Sequence, residues 1–249
     1  MPTSDDPLAV WIAEASREME GQDGEQATLR AATRLAVVNI DGATSASVSI
    51  VSGRQIATPA WDGELARECD RLQYLLGEGP CLDSIAERHA VRSPSLAYDE
   101  RWPVWGPRVA DDPGAHSVLS VRLFTDGHAF GALNMYSPAK DAFSDQDQEE
   151  ATALAAHIAI ALAAVRQSDS LLAGLDSRSV IGQAMGIIME RFDLAPPVAL
   201  SLLGRIASST QTKVRDVARE IVTTRSVPTL HAAEPGTGVL PLEGGSAVG

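Results

Sequence analysis

The two cysteines are the residues of this chain best suited to nucleophilic or redox chemistry. Cys81 follows Gly79 and Pro80 at an expected helix start, where the helix dipole and free amide donors can lower a thiol pKa. Cys81 is therefore a candidate redox or nitrosative sensor, and the alternative is a small apolar residue that fills a tight turn. Cys69 lies twelve positions earlier, a spacing that matches neither a redox pair nor a zinc knuckle. We predict no metal site.

The aromatic and histidine residues suggest a pocket at most. Trp102 and Trp105, three positions apart, are candidate walls of a ligand pocket, with packing in the core as the alternative. The histidines show neither metal-ligand nor catalytic-triad spacing, so we predict no catalytic residue. They include His89, His116, His128 and His157.

A group of polar side chains near the C-terminus is suited to hydrogen bonding and phosphate contact. Lysine and arginine hold phosphates, while guanidinium planes, amides and hydroxyls contact unpaired bases. The alternative for each residue is a solvated helix face. The candidate contacts are Arg178, Gln183, Arg191, Ser208, Thr210, Gln211, Thr212, Lys213 and Arg215.

The charge of the chain is distributed unevenly. The net charge of −13 argues at first against a nucleic-acid partner, because phosphate binding needs concentrated basic residues. Residues 170–227, however, contain seven basic and five acidic side chains, a balance of +2, so the remainder carries −15. This asymmetry suggests that the two parts perform separate tasks.

Hydrophobic periodicity predicts an antiparallel α+β sheet with helices on its faces. The element order is two helices, a hairpin, a helical and loop-rich crossover, and three further strands. The predicted helices are Pro7 to Glu20, Ala27 to Ile40, Asp62 to Leu76 and Cys81 to His89. The predicted strands are Ala43 to Val51, Arg54 to Ala60, Val91 to Ser95, Ser117 to Phe124 and Phe130 to Tyr136, with Asp126-Gly127 as the last hairpin turn.

A long helix is expected over residues 144–175, with Ser144 as its N-cap. Positions 151, 158, 165 and 172 and positions 154, 161, 168 and 175 form two heptad series, in which seven of eight residues are apolar. The first part of this helix could instead lie on the sheet. Leu172 and Leu175 need another partner, so we predict a parallel homodimer.

Three amphipathic segments and a tail complete the chain. The segments Ser177 to Glu190, Val198 to Ile206 and Lys213 to Val222 predict a small three-helix bundle. Residues 227–249 are rich in proline, glycine, alanine and serine without periodicity, which predicts a disordered tail.

Composition favours a soluble protein. The hydrophobic fraction is 45% and the mean hydropathy is −0.02. The longest apolar stretches, such as Leu154 to Val165, fall short of the roughly 20 residues that span a membrane. The acidic start, Met1 to Asp6, does not resemble a secretory signal. We expect a cytoplasmic protein with no membrane partner.

The C-terminal segments resemble a known RNA-binding family. The sequence SRSVIGQAMGIIMER, followed by PPVALSLLGRIAS and TKVRDVAREIV, is similar to the ANTAR domain of bacterial transcription antitermination regulators, over Ser170 to Thr224. The resemblance implies dimers that bind two tandem RNA hairpins and prevent an overlapping terminator from forming. Two positions depart from the family, which commonly has Lys at Met185 and Asn at Gln211. These departures suggest lower phosphate affinity or a different RNA target.

The front part of the chain resembles a GAF domain of actinobacterial type. The segments GEGPCLDSI at 77–85, YDERWP at 98–103, SVLSVRL at 117–123 and GALNMYS at 131–137 carry the similarity, over residues 25–166. Such domains enclose a small ligand between the sheet and its crossover segment. The resemblance thus implies an unidentified small-molecule ligand, with no cofactor assigned.

These features predict a transcription regulator rather than an enzyme. Its parts are an N-terminal helix (1–24), a GAF sensor (25–166), a dimerising helix (144–175), an ANTAR domain (170–226) and the tail. A small-molecule or redox signal would control binding to hairpins in nascent transcripts, and the transcription machinery would be an indirect partner. One alternative is a protein-interaction module without RNA binding. The other is a GAF-fold methionine sulfoxide reductase that uses Cys69 and Cys81.

Overall fold

The computed structural model describes residues 7–87, 90–125 and 128–228, without the side chain of His128. The helices are α1 (Pro7–Glu20), α2 (Glu25–Asn39), α3 (Glu64–Leu76), α4 (Pro80–Glu87), α5 (Trp105–Asp111), α6 (Asp145–Phe192), α7 (Pro196–Ser209) and α8 (Val214–Thr224), with a 3₁₀ turn at Leu96–Tyr98. The strands are β1 (Ser45–Ser52), β2 (Gln55–Asp62), β3 (Val91–Ser93), β4 (Ser117–Thr125) and β5 (His128–Ser137).

The strands form one antiparallel sheet in the order β2, β1, β5, β4, β3. This confirms the predicted α+β class and the predicted strands. The central strands approach closely at Gly131, which lies opposite Ile50. A Cβ atom on Gly131 would lie 1.7 Å from the carbonyl oxygen of Ser49, so only glycine fits there.

One face of the sheet carries the larger apolar core, covered by α1, α2 and α6. Alternate residues of β1 point into it, because successive side chains of a strand face opposite sides. Ala46, Val48 and Ile50 contact this core, as do Leu133 and Met135 of β5. The apolar half of the β1 alternation therefore builds the main core.

The other face of the sheet is also covered, by α3, α4 and α5. Ser47 and Ser49, the polar half of the β1 alternation, point to this side and are fully buried. A smaller apolar cluster lies beside them and includes Leu72, Trp102 and Trp105. Polar alternation usually indicates a solvent-facing side of a strand, but here both sides are enclosed.

The helix α6 begins with a capping box, in which Ser144 is the N-cap, as predicted. The backbone N–H of Asp147 donates to Ser144 Oγ over 3.1 Å, and the backbone N–H of Ser144 donates to Asp147 Oδ2 over 2.7 Å. The first turns then lie on the sheet, with Ala151, Leu154 and Ile158 fully buried. The heptad positions in this part of α6 therefore pack in the core of the protein.

The helix α6 does not stop near residue 175, as we predicted, but continues to Phe192. The segment Ser177 to Glu190, which we predicted as a separate helix, is part of α6 in the structure. Residues 166–177 contain no proline, and Gly174 alone lowers helix stability by only about 1 kcal/mol relative to alanine. Asp193, with a φ of 51°, ends the helix before the two prolines that begin α7.

The C-terminal helices share their own core. The end of α6 contributes Ala184 and Ile188, α7 contributes Leu203 and Ile206, and α8 contributes Val217, Ala218 and Ile221. The predicted three-helix bundle is therefore present, with its first helix supplied by α6. Leu200 is 48% exposed, because α7 buries the face that carries Ala199, Leu203 and Ile206.

The chain divides into two compact units between Asp169 and Ser170. Within α6, the most apolar 18 residues have a mean hydropathy of 1.3, so the helix could span a membrane by length and composition alone. The predicted turn at Asp126-Gly127 lies outside the described residues. So does the predicted tail, apart from residues 227 and 228.

Candidate functional sites

A surface groove lies between the last turns of α6 and the end of α8. Its volume is about 520 Å³. Ile187 and Val222 give it apolar walls, and the charged residues around it are Glu190, Arg191 and Arg225. We call this feature the α6–α8 groove, and it is lined by Gln183, Gly186, Ile187, Glu190, Arg191, Val222 and Arg225.

Two guanidinium groups of the groove have no acidic partner among the described residues. Neither Arg191 nor Arg225 has a carboxylate within 4 Å in the described part of the chain. Arg191 and Arg225 are both exposed. Two unpaired cations beside one carboxylate, Glu190, make the groove a site that favours an anionic ligand.

A second polar surface lies at the turn between α7 and α8. Gln211 adopts a φ of 54° there, and Lys213 is the N-cap of α8. The Thr210 hydroxyl donates to the carbonyl of Ile206 over 2.9 Å, and the Thr212 hydroxyl donates to that of Thr210 over 3.1 Å. Their donor hydrogens are therefore used locally, although both oxygens can still accept.

The structure separates the predicted contacts into two groups. Gln183 and Arg191 line the α6–α8 groove at the C-terminal end of α8, whereas Lys213 precedes its first residue. With a rise of 1.5 Å per residue, Lys213 and Arg225 lie about 18 Å apart along α8. Ser208, Thr210, Gln211, Thr212 and Arg215 belong to the Lys213 end, and Arg178 is exposed on α6 outside the groove.

Sequence reasoning named Gln183 and Arg191 and missed the other five members of the groove, among them Gly186 and Arg225. Arg225 lies three positions after the end of the third amphipathic segment, so the periodicity assigned it to no helical face. In the structure it adopts a φ of 56° as the C-cap of α8, which brings it beside α6. The signal available in the sequence was a basic residue close to the end of a predicted helix.

The N-terminal unit contains a buried carboxylate between the sheet and α3. Asp70 is fully buried, and no basic side chain of the described residues pairs with it. Hydroxyl groups of Ser47 and Thr58 each donate to Oδ2 over 2.7 Å, and that of Tyr136 donates to Oδ1 over 2.7 Å. We call the whole group the buried polar cluster: Ser47, Ser49, Thr58, Asp70, Gln73, Tyr74, Asn134 and Tyr136.

Burial and hydrogen bonding act in opposite directions on Asp70. Removal from water raises the pKa of this carboxyl, and the donors from Tyr136, Ser47, Thr58 and Asn134 lower it. The net direction is upward from the ordinary value of 3.8. The cluster is therefore a polar interior in which hydroxyl and amide donors oppose part of the effect of burial on Asp70.

Cys81 lies next to this cluster and is fully buried. Its backbone N–H donates to Gln73 Oε1 over 2.9 Å, which joins the Gly79-Pro80 turn to the cluster. Burial raises the pKa of the Cys81 thiol to about 12. A helix start can lower a thiol pKa, but the buried setting of Cys81 acts in the opposite direction, and its role as a sensor stays a prediction.

The two tryptophans pack against each other at right angles, with ring centroids 5.6 Å apart. Both are buried, and both indole N–H groups have protein acceptors: Asp83 Oδ2 for Trp102 and the carbonyl of Cys69 for Trp105. They lie in the smaller apolar cluster with Cys69. Their predicted place in a ligand pocket stays a prediction.

Comparison with known proteins identifies both units. The family model for the GAF domain matches residues 22–163, more than half of the chain, and that for the ANTAR domain matches residues 169–222. The chain belongs to the GAF domain family. It joins this domain to an ANTAR domain, as predicted. GAF domains are sensor domains and ANTAR domains are RNA-binding domains of antitermination, both regulatory rather than catalytic.

Solved structures support the GAF fold. Free methionine-R-sulfoxide reductase from Neisseria meningitidis has a TM-score of 0.52 and 17% identity, covering 68% of this chain and 97% of that one. The GAF domain of a phosphoenolpyruvate-protein phosphotransferase from Coxiella burnetii has a TM-score of 0.52 and 14% identity, covering 66% and 96%. At these identities the similarity shows the fold alone. No curated protein sequence matches the chain.

The two positions at which the resemblance suggests departures from the ANTAR family have different structural settings. Met185 packs against the bundle core, so a methionine there is an apolar side chain in an apolar place. Gln211 has a left-handed backbone conformation, which asparagine adopts more easily. Packing therefore characterises the setting of Met185, and turn geometry that of Gln211.

Proposed function

We propose that this protein is a transcription antitermination regulator whose GAF domain controls RNA binding by its ANTAR domain. The observation that carries the proposal is the set of basic side chains on the C-terminal unit that have no acidic partner within 4 Å among the described residues. This set comprises Arg178, Arg191, Arg205, Lys213 and Arg225.

Unpaired basic groups favour RNA because an exposed ion pair has already satisfied its charge, whereas a free guanidinium can still hold phosphate. The acidic residues are concentrated elsewhere, since residues outside 170–227 carry −15. This arrangement supports binding of RNA at the ANTAR domain, where tandem hairpins in nascent transcripts are the proposed target. The protein acts by binding one RNA fold more tightly than the competing RNA fold, without a chemical step.

A second copy of the chain is the proposed partner of α6. Leu171, Leu172 and Leu175 are each more than 60% exposed on this helix. Three large apolar side chains within five positions favour a helix–helix contact over exposure to water. Two ANTAR domains in a parallel dimer would supply one binding surface for each hairpin of a pair.

The GAF domain is proposed to detect a small molecule or a redox signal in the cytoplasm. The buried polar cluster offers many hydroxyl and amide groups in the region between the sheet and α3, where a polar ligand could exchange hydrogen bonds. A redox role for Cys81 would first require the thiol to become exposed, because burial raises its pKa. A polar small molecule is therefore the better-supported signal.

The reductase alternative has the fold in its favour, but both cysteines are buried. Burial raises the pKa of both Cys69 and Cys81, which disfavours the thiolate that a nucleophile needs. A turnover assay with free methionine sulfoxide tests this alternative directly. The protein-interaction alternative is separated by crosslinking in cells followed by RNA sequencing, since only an RNA-binding protein retains specific transcripts.

Gel-shift titration of the full-length protein with two-hairpin transcripts tests RNA binding. We expect Arg178→Ala and Lys213→Ala each to weaken binding several-fold and to reduce the salt dependence of the association constant, because each removes one phosphate contact. Arg67→Ala, a change to an exposed arginine paired with Glu64 in the GAF domain, is the control and should leave binding unchanged. Unchanged binding by both test variants would remove these residues from the interface.

A further inference from the structure

Gly186 lines the α6–α8 groove without a side chain. It lies in the middle of a helical segment, between the core residues Ala184 and Ile188. Glycine weakens a helix at such a place relative to alanine. A Cβ atom on Gly186 would meet no atom within 4 Å, so packing does not require glycine there. A side chain at this position would instead occupy space in the groove that Gly186 lines.

The groove offers the chemistry that an unstacked base needs. A base has two flat faces and a polar edge, and it is joined to a phosphate. Ile187 and Val222 provide apolar walls, and Gln183 and Glu190 provide hydrogen-bonding groups for an edge. The guanidinium groups of Arg191 and Arg225 can stack on a face or hold the phosphate, since neither is paired with a described carboxylate.

The size of the groove agrees with this use. Small-molecule sites usually have volumes of about 300 to 1,000 Å³, and the groove has about 520 Å³. An extended duplex would not enter it, whereas a single base from a hairpin loop would. Because base recognition in RNA depends on bases that leave the stack, a groove of this kind can distinguish one loop from another.

We propose that the α6–α8 groove binds one unstacked loop base of the RNA over Gly186, and that Arg225 is a further RNA-binding residue. The inference rests on the proposed RNA binding by the ANTAR domain and makes it more specific. It assigns the Gln183, Arg191 and Arg225 end of the module to base recognition. The Lys213 end, about 18 Å away along α8, then has the separate task of phosphate contact.

Substitution of Gly186 tests the groove with the full-length protein. The probe is an RNA enriched from a tandem-hairpin library with randomised loops by the wild-type protein. We expect Gly186→Leu to weaken binding by about tenfold or more, the effect of losing one stacked base, and Gly186→Ala to weaken it less. Both variants should raise the melting temperature, because each replaces a helical glycine.

Gly204→Ala is the matched control for Gly186→Ala. Gly204 lies in α7, is absent from the groove, and also has no atom within 4 Å of an added Cβ. The control should raise the melting temperature and leave RNA affinity unchanged. Wild-type affinity in Gly186→Leu would overturn the inference, as would equal losses in Gly186→Ala and Gly204→Ala.

Substitution of Arg225 separates recognition from charge. Arg225→Gln and Arg205→Gln each remove one exposed, unpaired positive charge from the same unit. We expect Arg225→Gln to lose at least five times more affinity than Arg205→Gln, and Arg225→Lys to recover only part of the loss because lysine lacks the planar group. Equal losses in the two glutamine variants would overturn the role of Arg225.

A fluorescent base gives a direct readout. With 2-aminopurine placed at each loop position in turn, one position should brighten on binding wild-type protein and fail to brighten with Gly186→Leu. If no position responds differently, no base enters the groove and the inference is wrong while RNA binding stands. If the library yields no enriched RNA at all, the proposed function itself fails.

Discussion

The hydroxyl group of Tyr136 serves two neighbours in the buried polar cluster. It donates to Asp70 Oδ1 over 2.7 Å and accepts from Gln73 Nε2 over 2.7 Å. Since Gln73 also accepts the backbone N–H of Cys81, the hydroxyl connects the carboxylate to the turn before α4. Single atoms in this interior therefore hold more than one element in place.

We expect Tyr136→Phe to lower the free energy of unfolding by about 1 to 3 kcal/mol, because it leaves buried polar groups without a partner. Urea denaturation followed by circular dichroism measures the change. Tyr98→Phe is the control, since Tyr98 is 79% exposed. Equal and small effects of the two substitutions would show that the cluster contributes little to stability.

Thiol labelling tests the setting of Cys81. Both cysteines are free and buried, so we expect a disulfide reagent to react with neither Cys69 nor Cys81 in the native protein and with both in urea. Ser208→Cys places a thiol at an exposed position and should react at once. Rapid labelling of Cys81 in the native protein would instead favour the redox-sensor hypothesis.

The capping box of α6 is the clearest case in which one element depends on one ionised side chain. Burial tends to raise the pKa of Asp147, but hydrogen bonds from Ser144 and from the amide of Gly42 lower it by more, and the net direction is downward from 3.8. A lowered pKa means that the ionised form stabilises the fold at higher pH. This contribution is lost as the pH falls below 3.8 through the pKa of the folded state.

Asp147→Asn should therefore lower the free energy of unfolding at pH 7 by about 1 kcal/mol, the usual value of a helix cap. The difference from wild type should shrink as the pH falls below 3.8. Denaturation curves at a series of pH values measure both effects. Glu149→Gln, at an exposed position of the same helix, should show neither. A difference that is independent of pH would contradict the assigned role of the charge.

The sequence predicted the elements better than it predicted their interior. Periodicity and turn residues identified the sheet strands and the start of α6, because they depend on local rules. The buried polar cluster was missed because the serines of β1 alternate with apolar residues, a pattern that usually indicates a solvent-facing side. Asp70, which accepts hydrogen bonds from Ser47 and Ser49, lies on α3. The periodicity of a single sequence cannot reveal a contact between separate elements.

The candidate RNA site was predicted in its residue types and only partly in its arrangement. Gln183 and Arg191 line the groove, but Lys213 lies at the other end of α8 and Arg225 was not chosen. The end of the predicted long helix was also wrong, since nothing between residues 166 and 177 breaks α6. Helix ends without proline or a cap carry too little signal to be placed from sequence.

At the scale of the whole molecule, the exposed leucines of α6 predict self-association. We expect Leu172→Glu combined with Leu175→Glu to convert a dimer to a monomer at micromolar concentration, because like charges would replace an apolar contact. Light scattering after size-exclusion chromatography measures the mass. Val38→Glu, at a residue 72% exposed on α2, is the control. A wild-type monomer would contradict the proposed dimer.

The unbroken course of α6 changes how fragments of this protein should be designed. A fragment that begins at Ser170 starts inside a helix, where four amide groups lose their carbonyl acceptors and the first turns fray. An RNA-binding fragment should therefore be grafted, in helical phase, onto the end of another stable helix that continues into residue 170.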